Sequence, residues 1–212
     1  MQAAQATVAA PVVYVLDDDV SVRSSVERLV RSVGLEVHSF PSAMDFLDYG
    51  MPDRPSCLVV DVRMPGVSGL DLQDSLSTSG RGVPMIFITG HGTVPMGVRA
   101  MRAGAVNFIQ KPFEDQELLD SIHQAIEREV LSCSERERQG KIELLFNSLT
   151  PREREVFHLV IAGLPNKQIA GRLGATEKTI KVHRARVMQK MQADSLAALV
   201  RMAIEAGLRT VS

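Results

Sequence analysis

Six side chains within the first 111 positions have the types and placement to handle a phosphoryl group: Asp17, Asp18 and Asp19 in VLDDD, Asp61 in VVDV, Thr89 in FITG and Lys111 in IQKPF. Each lies just past a short apolar run, the runs being Val12 to Leu16, Leu58 to Val60, Met85 to Ile88 and Val106 to Ile109. If these runs are strands of one parallel sheet, their carboxyl ends share an edge, which is where open α/β sheets bind ligands. Packed carboxylates repel unless something cationic sits among them, and an oxygen-only ligand set with room for water suits Mg2+. With that ion bound, one carboxylate can act as nucleophile toward phosphorus. The metal and Lys111 offset charge on the transferring oxygens, and Thr89 donates a hydrogen bond. Taken singly, an Asp run is often a helix cap, Thr-Gly a turn and Lys-Pro a surface feature. Their joint appearance at four strand ends points to a phosphoryl acceptor, and a divalent ion is expected to be what makes the crowding tolerable.

The elements that must position these groups are legible in the same stretch. The apolar runs are continuous rather than alternating and rich in β-branched residues, as in strands covered on both faces by helices. A weaker run lies at Leu35 to Phe40. Helical spacing is found at Ser21 to Val33, Ala43 to Tyr49, Leu70 to Ser77, Val94 to Ala103 and Asp115 to about Arg138. In the first of these Val22, Val26, Leu29, Val30 and Val33 form an apolar stripe, with Arg23, Glu27, Arg28 and Arg31 on the other side and Gly34 as its stop. Five βα units fit a doubly wound, flavodoxin-like α/β domain with a five-stranded parallel sheet.

The chain has 212 residues and a formal net charge of −1, which hides an asymmetry. Residues 1–148 carry 13 Lys/Arg against 20 Asp/Glu, net −7, whereas residues 149–212 carry 11 against 5, net +6. The basic part suits a polyanion and the acidic part suits metal or phosphate chemistry. With 45% apolar and 23% charged residues, a fibre and a wholly disordered chain are excluded. No apolar run approaches the ~20 residues of a membrane helix, and MQAAQATVAAP lacks the basic flank of a secretory signal, so no membrane association and a cytoplasmic location are expected. Cys57 and Cys133 are expected as a buried and a surface thiol rather than a bridge. The expected organisation is a disordered tail over 1–11, an α/β domain over 12–128, a helical linker over 129–148 and an all-α domain over 149–212. Gly140 is a candidate break in the linker, and Val130, Leu131, Ile142, Leu144, Leu145 and Phe146 are candidates for a coiled-coil pairing.

Beyond Leu149 the pattern is wholly helical, at Pro151 to Ala162, Lys167 to Leu173, Glu177 to Gln192 and Ser195 to Ala206. Thr150 and Glu153 form a capping box in front of Pro151. Short helices with a tight turn between the middle pair describe a helix-turn-helix domain. In the third helix Ile180, Val187, Met188 and Met191 have the spacing of a core stripe. Lys178, Lys181, Val182, Arg184, Ala185, Arg186 and Gln189 fall largely outside it, Thr176 caps the helix and Thr179 stands where it can meet a phosphate. An exposed cationic helix of this kind fits the DNA major groove.

Residues 12–128 resemble a response-regulator receiver domain, on the runs VLDDD, VVDVRMPGVSGLDL, FITGHG and AGAVNFIQKPF. The resemblance implies Asp61 as phosphoacceptor and Asp18, Asp61 and the Arg63 carbonyl as Mg2+ ligands, with Asp17 binding through water. It further implies Lys111 as phosphate partner, Thr89 and Phe108 as a switch pair, and a cis Lys111–Pro112 bond. Phe108 stands where some receivers have tyrosine. The segment LTPREREVFHLVIAGLPNKQIAGRLGATEKTIKVHRARVMQKM resembles the DNA-binding domain of the NarL/LuxR family, so the whole chain resembles a FixJ-type transcriptional regulator. That implies a recognition helix at about Glu177 to Gln192 and a supporting helix from Asn166, with Asn166, Lys167, Lys178, Thr179, Lys181, Val182, Arg184 and Arg186 toward DNA. Ala185 replaces a lysine of some relatives, leaving Arg184 or Arg186 to compensate. The implied partners are a sensor histidine kinase, double-stranded promoter DNA, RNA polymerase and, on phosphorylation, a second copy of the chain. Its expected contacts are Val94, Pro95, Val98, Arg99, Met101 and Arg102, and the implied role is regulatory rather than enzymatic.

Two alternatives come from other classes. Asp17, Asp19 and Ser21 roughly follow the DxDx(T/V) signature of haloacid-dehalogenase-type phosphatases, which would make Asp17 the nucleophile of an enzyme; that reading leaves Asp61 unexplained. The basic half alone also resembles sigma-factor region 4, against which the receiver-like half argues.

Overall fold

The structure is a computed structural model that describes residues 10–52, 54–78 and 82–208; the tail expected over 1–11 lies outside the described residues as far as position 9. The chain divides into two compact units, Met1–Cys133 and Ser134–Ser212.

The first unit runs β1 (Val12–Leu16), α1 (Val20–Ser32), β2 (Glu36–Phe40), α2 (Ala43–Tyr49), β3 (Ser56–Asp61), α3 (Gly69–Thr78), β4 (Met85–Thr89), α4 (Val94–Arg102) and β5 (Asn107–Gln110), and enters α5 (Asp115–Asn147). The strands pair in parallel in the order β2-β1-β3-β4-β5. Alternate residues go to opposite faces of a strand, so a continuous apolar run feeds two cores. Tyr14, Leu16, Leu58, Val60 and Phe87 pack with Phe46 of α2, Leu72 of α3 and Ala100 of α4. Val13, Val15, Val59, Ile86 and Ile88 pack with Val26 and Val30 of α1 and Leu118 and Ile122 of α5. Each side chain so buried contributes ~1.5–3 kcal/mol, and the shared register holds the strand ends level. Leu16 pairs with Val60, Asp61 with Ile88 and Thr89 with Gln110.

The helix starts follow local chemistry. Asp19 caps α1 by accepting from the Ser21 and Val22 amides, Ser42 caps α2, and Gly34 takes φ 80° just beyond α1. Leu35 and Val106 lie just outside the strands expected to hold them.

The helix expected to end near Arg138 with Gly140 as a candidate break instead continues through Gly140 to Asn147. A mid-helix glycine costs about 1 kcal/mol relative to alanine. Packing on the far side outweighs this, because Ile142 is buried and Leu145 and Phe146 lie against the core of the second unit. The candidate coiled-coil set therefore splits: Leu131 and Leu144 stay 67% and 73% exposed while Ile142 is consumed by the core.

The second unit holds α6 (Pro151–Ile161), α7 (Asn166–Leu173), α8 (Glu177–Lys190) and α9 (Leu196–Glu205) around Val156, Phe157, Ile169, Ile180, Val187, Met191 and Leu199. The capping box at Thr150 and Glu153 is formed, Gly174 ends α7 in the left-handed region at φ 58°, and Thr176 caps α8. α8 stops at Lys190 rather than Gln192, whose backbone turns to φ 53°.

Candidate phosphoacceptor site and nucleic-acid face

The sheet brings Asp17, Asp61, Thr89 and Lys111 to one edge. Asp61 ends β3, Thr89 ends β4, and Asp17 and Lys111 follow β1 and β5 by one residue. Lys111 Nζ donates to Asp17 Oδ2 at 2.6 Å and to Asp61 Oδ1 at 2.8 Å. The remaining oxygens of both acids are engaged: Asp17 Oδ1 accepts the Asp19 amide at 2.9 Å and Asp61 Oδ2 accepts the Arg63 amide at 2.6 Å. Asp17, Asp61 and Thr89 are buried, whereas Asp18 is exposed. Thr89 Oγ1 accepts the His91 amide at 3.2 Å, leaving its own proton to donate. The Lys111–Pro112 bond is cis.

Two electrostatic consequences follow. Burial pushes the Asp17 carboxyl above its ordinary range, and the bonds from Lys111 offset this only in part. Burial also works against the charged Lys111 ammonium, but the Asp17 and Asp61 carboxylates outweigh it and hold its pKa above the usual lysine value. The ammonium of Lys111 bridges the two buried acids, so part of the charge crowded at this edge is offset within the chain. Among the described residues no group of three or more His, Cys, Asp or Glu is assembled as it stands around a metal position. The available donors do fit Mg2+ in kind, because Asp17, Asp18, Asp61 and the Arg63 carbonyl offer only oxygen.

Phe108 is half-buried on β5 with its ring 6.3 Å from that of Phe87. A methyl group on Gly92 would lie 2.8 Å from both Phe108 Cε1 and Thr89 Cγ2, and one on Gly97 would lie 3.4 Å from Phe108 Cδ1. The two glycines thus form the notch beside the ring. Gly69 is under tighter constraint, since a Cβ there would stand 2.5 Å from the Asp61 carbonyl oxygen. Along α4, Val94, Val98 and Met101 are exposed at i, i+4 and i+7. Arg99, one of the expected interface cations, already pairs with Asp74 at 2.7 Å and Asp71 at 3.8 Å within the chain.

Several functional neighbours escaped sequence reasoning. The helical pattern puts Arg23 on the polar side of α1, but its guanidinium donates to the carbonyls of Asp17 at 2.6 Å and Asp18 at 3.2 Å. Beside Lys111, Ser21, Val22, Ser25, Leu29, Pro112 and Phe113 line an open groove whose walls come from α1 and from the turn before α5. Of the two thiols, Cys57 is fully buried and pushed up to about 12 by desolvation, while Cys133 is half-buried rather than on the surface.

In the second unit Ile180, Val187 and Met191 face inward and Met188 is half-buried, so Lys178, Lys181, Val182, Ala185, Arg186 and Gln189 share the exposed side of α8. Lys167 is exposed at the start of α7. Three expected contacts, Asn166, Thr179 and Arg184, are already engaged inside the chain. Arg184 is half-buried and donates to Asn166 Oδ1 at 3.3 Å, and the Thr179 hydroxyl meets the Thr176 hydroxyl at 2.8 Å. Arg186 is therefore the better-placed of the two candidates to compensate for Ala185. The helix assembly is locked by buried Glu153, whose carboxylate accepts from Lys190 Nζ at 2.7 Å and from the Thr150 amide at 2.9 Å. These bonds hold its pKa down to about 2.

Residues 13–123 match the family described as the response regulator receiver domain, and residues 147–203 match the bacterial regulatory proteins of the luxR family. The chain is 51% identical to nodulation protein W of Bradyrhizobium diazoefficiens over 93% of its own length and 87% of that protein. It is 44% identical to the transcriptional regulatory protein FixJ of Rhizobium meliloti over 92% of its length and 96% of that protein. The solved structure of the response regulator StyR is similar at a TM-score of 0.84 and 50% identity, covering 93% of this chain and all of the other.

Proposed function

The chain belongs to the two-component response regulators that join a receiver domain to a LuxR-type DNA-binding domain, and from that premise we propose that Asp61 accepts a phosphoryl group and that its phosphorylation promotes dimerisation and promoter binding. The observation that carries the proposal is the buried Asp61 carboxylate, held at the sheet edge by Lys111 and the Arg63 amide.

In this reading a carboxylate oxygen of Asp61 attacks phosphorus, and the phosphorus–nitrogen bond of a phosphohistidine on a sensor kinase breaks. The departing imidazole keeps the electron pair. Asp18, Asp61 and the Arg63 carbonyl would hold Mg2+ directly and Asp17 through water. When bound, the ion would offset charge on the transferring oxygens. Lys111 stays within reach of Asp61 and pairs with the acquired phosphoryl group, while the Thr89 proton is free to donate to it. The apolar groove beside Lys111 supports a donor that is a protein.

Drawing Thr89 toward the phosphoryl group opens space for the Phe108 ring, which reshapes the surface carrying Val94, Val98 and Met101. Phosphorylation acts on the output only through a difference in stability between two conformations. A second copy docked on that surface brings a second α8 to a half-site about one turn of DNA away. Lys178, Lys181, Val182 and Arg186 face the DNA, Lys167 supports them, and Asn166 and Thr179 act through their partners Arg184 and Thr176. The setting is cytoplasmic, with RNA polymerase as the downstream partner; among the described residues no helix is long and apolar enough to cross a membrane.

The test is acetyl phosphate with Mg2+, followed by mapping of the acid-labile label, sedimentation and a shift assay on random-sequence DNA. A label on Asp61, lost in Asp61→Asn, together with a doubled mass and tighter DNA binding, is expected. A label on Asp17 would revive the phosphatase alternative, and an unchanged mass would reject the coupling to dimerisation.

A further inference from the structure

The acids at the sheet edge differ in what occupies their oxygens. Both oxygens of Asp17 and both of Asp61 accept hydrogen bonds. Asp19 is spent on the α1 cap, accepting the Ser21 amide at 2.7 Å. Asp18 alone has an exposed carboxylate with no hydrogen-bond or ion-pair partner among the described residues. Nothing on that carboxylate fixes where it points, so its direction is set by the backbone that carries it. The backbone is held by two side chains: Asp17 Oδ1 accepts the Asp19 amide across it, and Arg23 Nη1 donates to the Asp17 carbonyl at 2.6 Å and the Asp18 carbonyl at 3.2 Å. Arg23 is one turn into α1, and its own amide donates to the Asp19 carbonyl at 3.0 Å. The guanidinium therefore ties the turn to a rigid helix by both ends.

We infer that Arg23 is a positioning residue for divalent-cation binding, acting through the Asp18 backbone without touching the cation. The inference rests on the proposed reading of Asp18 as a direct ligand. A guanidinium suits the task, since its planar donors can serve two carbonyls at once and it stays charged at every working pH. It bonds the backbone carbonyls rather than the carboxylates, so it restrains the turn without occupying the carboxylate oxygens as Lys111 does. Outer partners of this kind typically change metal affinity 10- to 100-fold when removed, because the ligand must then be ordered by the metal itself.

The experiment compares full-length wild type, Arg23→Ala, Arg23→Lys and Asp18→Asn. Mn2+ affinity is read from the electron paramagnetic resonance of the free ion, Mg2+ affinity by competition, and thermal midpoints in EDTA. Arg23→Ala is expected to weaken Mn2+ about tenfold, measured well below its own midpoint. Arg23→Lys, which keeps the charge and can reach one carbonyl, is expected to recover part of the loss. Affinity in Arg23→Ala within twofold of wild type, alongside a clear loss in Asp18→Asn, would overturn the role of Arg23 and leave the phosphoacceptor reading standing. So would a loss that vanishes once binding is measured far below the midpoint, since the effect would then be one of folding. Unchanged affinity in Asp18→Asn would overturn both the role of Arg23 and the reading of Asp18 as a direct ligand.

Discussion

Lys111 Nζ meets Asp61 Oδ1 at 2.8 Å across fifty positions of sequence, and the same nitrogen reaches Asp17 at 2.6 Å. Lys111→Ala leaves two neighbouring buried acids without their shared cation. Unpairing buried charges costs about 3–5 kcal/mol before protonation relieves it. The variant should therefore melt below wild type in EDTA, and Mg2+ should raise its midpoint more than it raises that of wild type. Asp61 should still take label from acetyl phosphate, while the phosphorylation-dependent gain in DNA binding is lost. Equal Mg2+ shifts in both proteins would mean that the ammonium does not neutralise the pair.

Gly69→Ala should damage the acceptor strand from behind. Its Cβ would lie 2.5 Å from the Asp61 carbonyl oxygen and 2.9 Å from Val60 Cγ1, both on a fully paired central strand that cannot give way. A loss of about 1–3 kcal/mol in urea titration is expected, with slower labelling at Asp61. Gly90→Ala is the control, because a Cβ there meets nothing within 4 Å. If the two variants behave alike, crowding is not the reason Gly69 is glycine.

Lys181→Ala should lower DNA affinity and reduce the slope of log affinity against log salt by about 0.9 if the ammonium meets a phosphate. If it meets a base, specificity relaxes at one position and the slope changes less. Arg184→Ala should act differently, through loosening of the Asn166 contact that joins α8 to α7. Unaltered slope and specificity in Lys181→Ala would remove that residue from the interface.

Glu153 supplies the pH dependence of the second unit. Its carboxyl is depressed from 4.5 to about 2 in the folded state. The contribution is therefore complete above the unfolded value and is lost as pH falls from about 4.5 toward 2. Glu153→Gln should cost about 1–3 kcal/mol near neutrality. Urea unfolding followed by circular dichroism from pH 7 to 3 should show the gap between wild type and variant narrowing below 4.5. A gap that holds constant with pH would assign the loss to packing rather than charge.

The strands, the helix-turn-helix and the convergence of Asp17, Asp61, Thr89 and Lys111 were legible because each rests on a periodic or local signal. Continuous apolar runs mark strands covered on two faces, and parallel pairing in register brings the residues at their carboxyl ends to one edge. Contacts that depend on how far a flexible side chain folds back were not. Arg23 lies on the polar side of the α1 pattern, and periodicity cannot tell a guanidinium in water from one laid over two carbonyls. Gly140 misled for a related reason: propensity marks a glycine as a break, while the burial of Ile142 that overrides it comes from residues far along the chain. Lys111 is legible as a cation at the acidic edge, but that its side chain reaches both Asp17 and Asp61 is invisible in spacing.

Cys57 stands four positions before Asp61 on β3, fully buried, with its thiol pushed up to about 12. Burial favours its protonated form, and it is the thiolate that attacks peroxides and disulfides. Desolvation of Cys57 thus leaves no nucleophilic sulfur on the strand that carries Asp61.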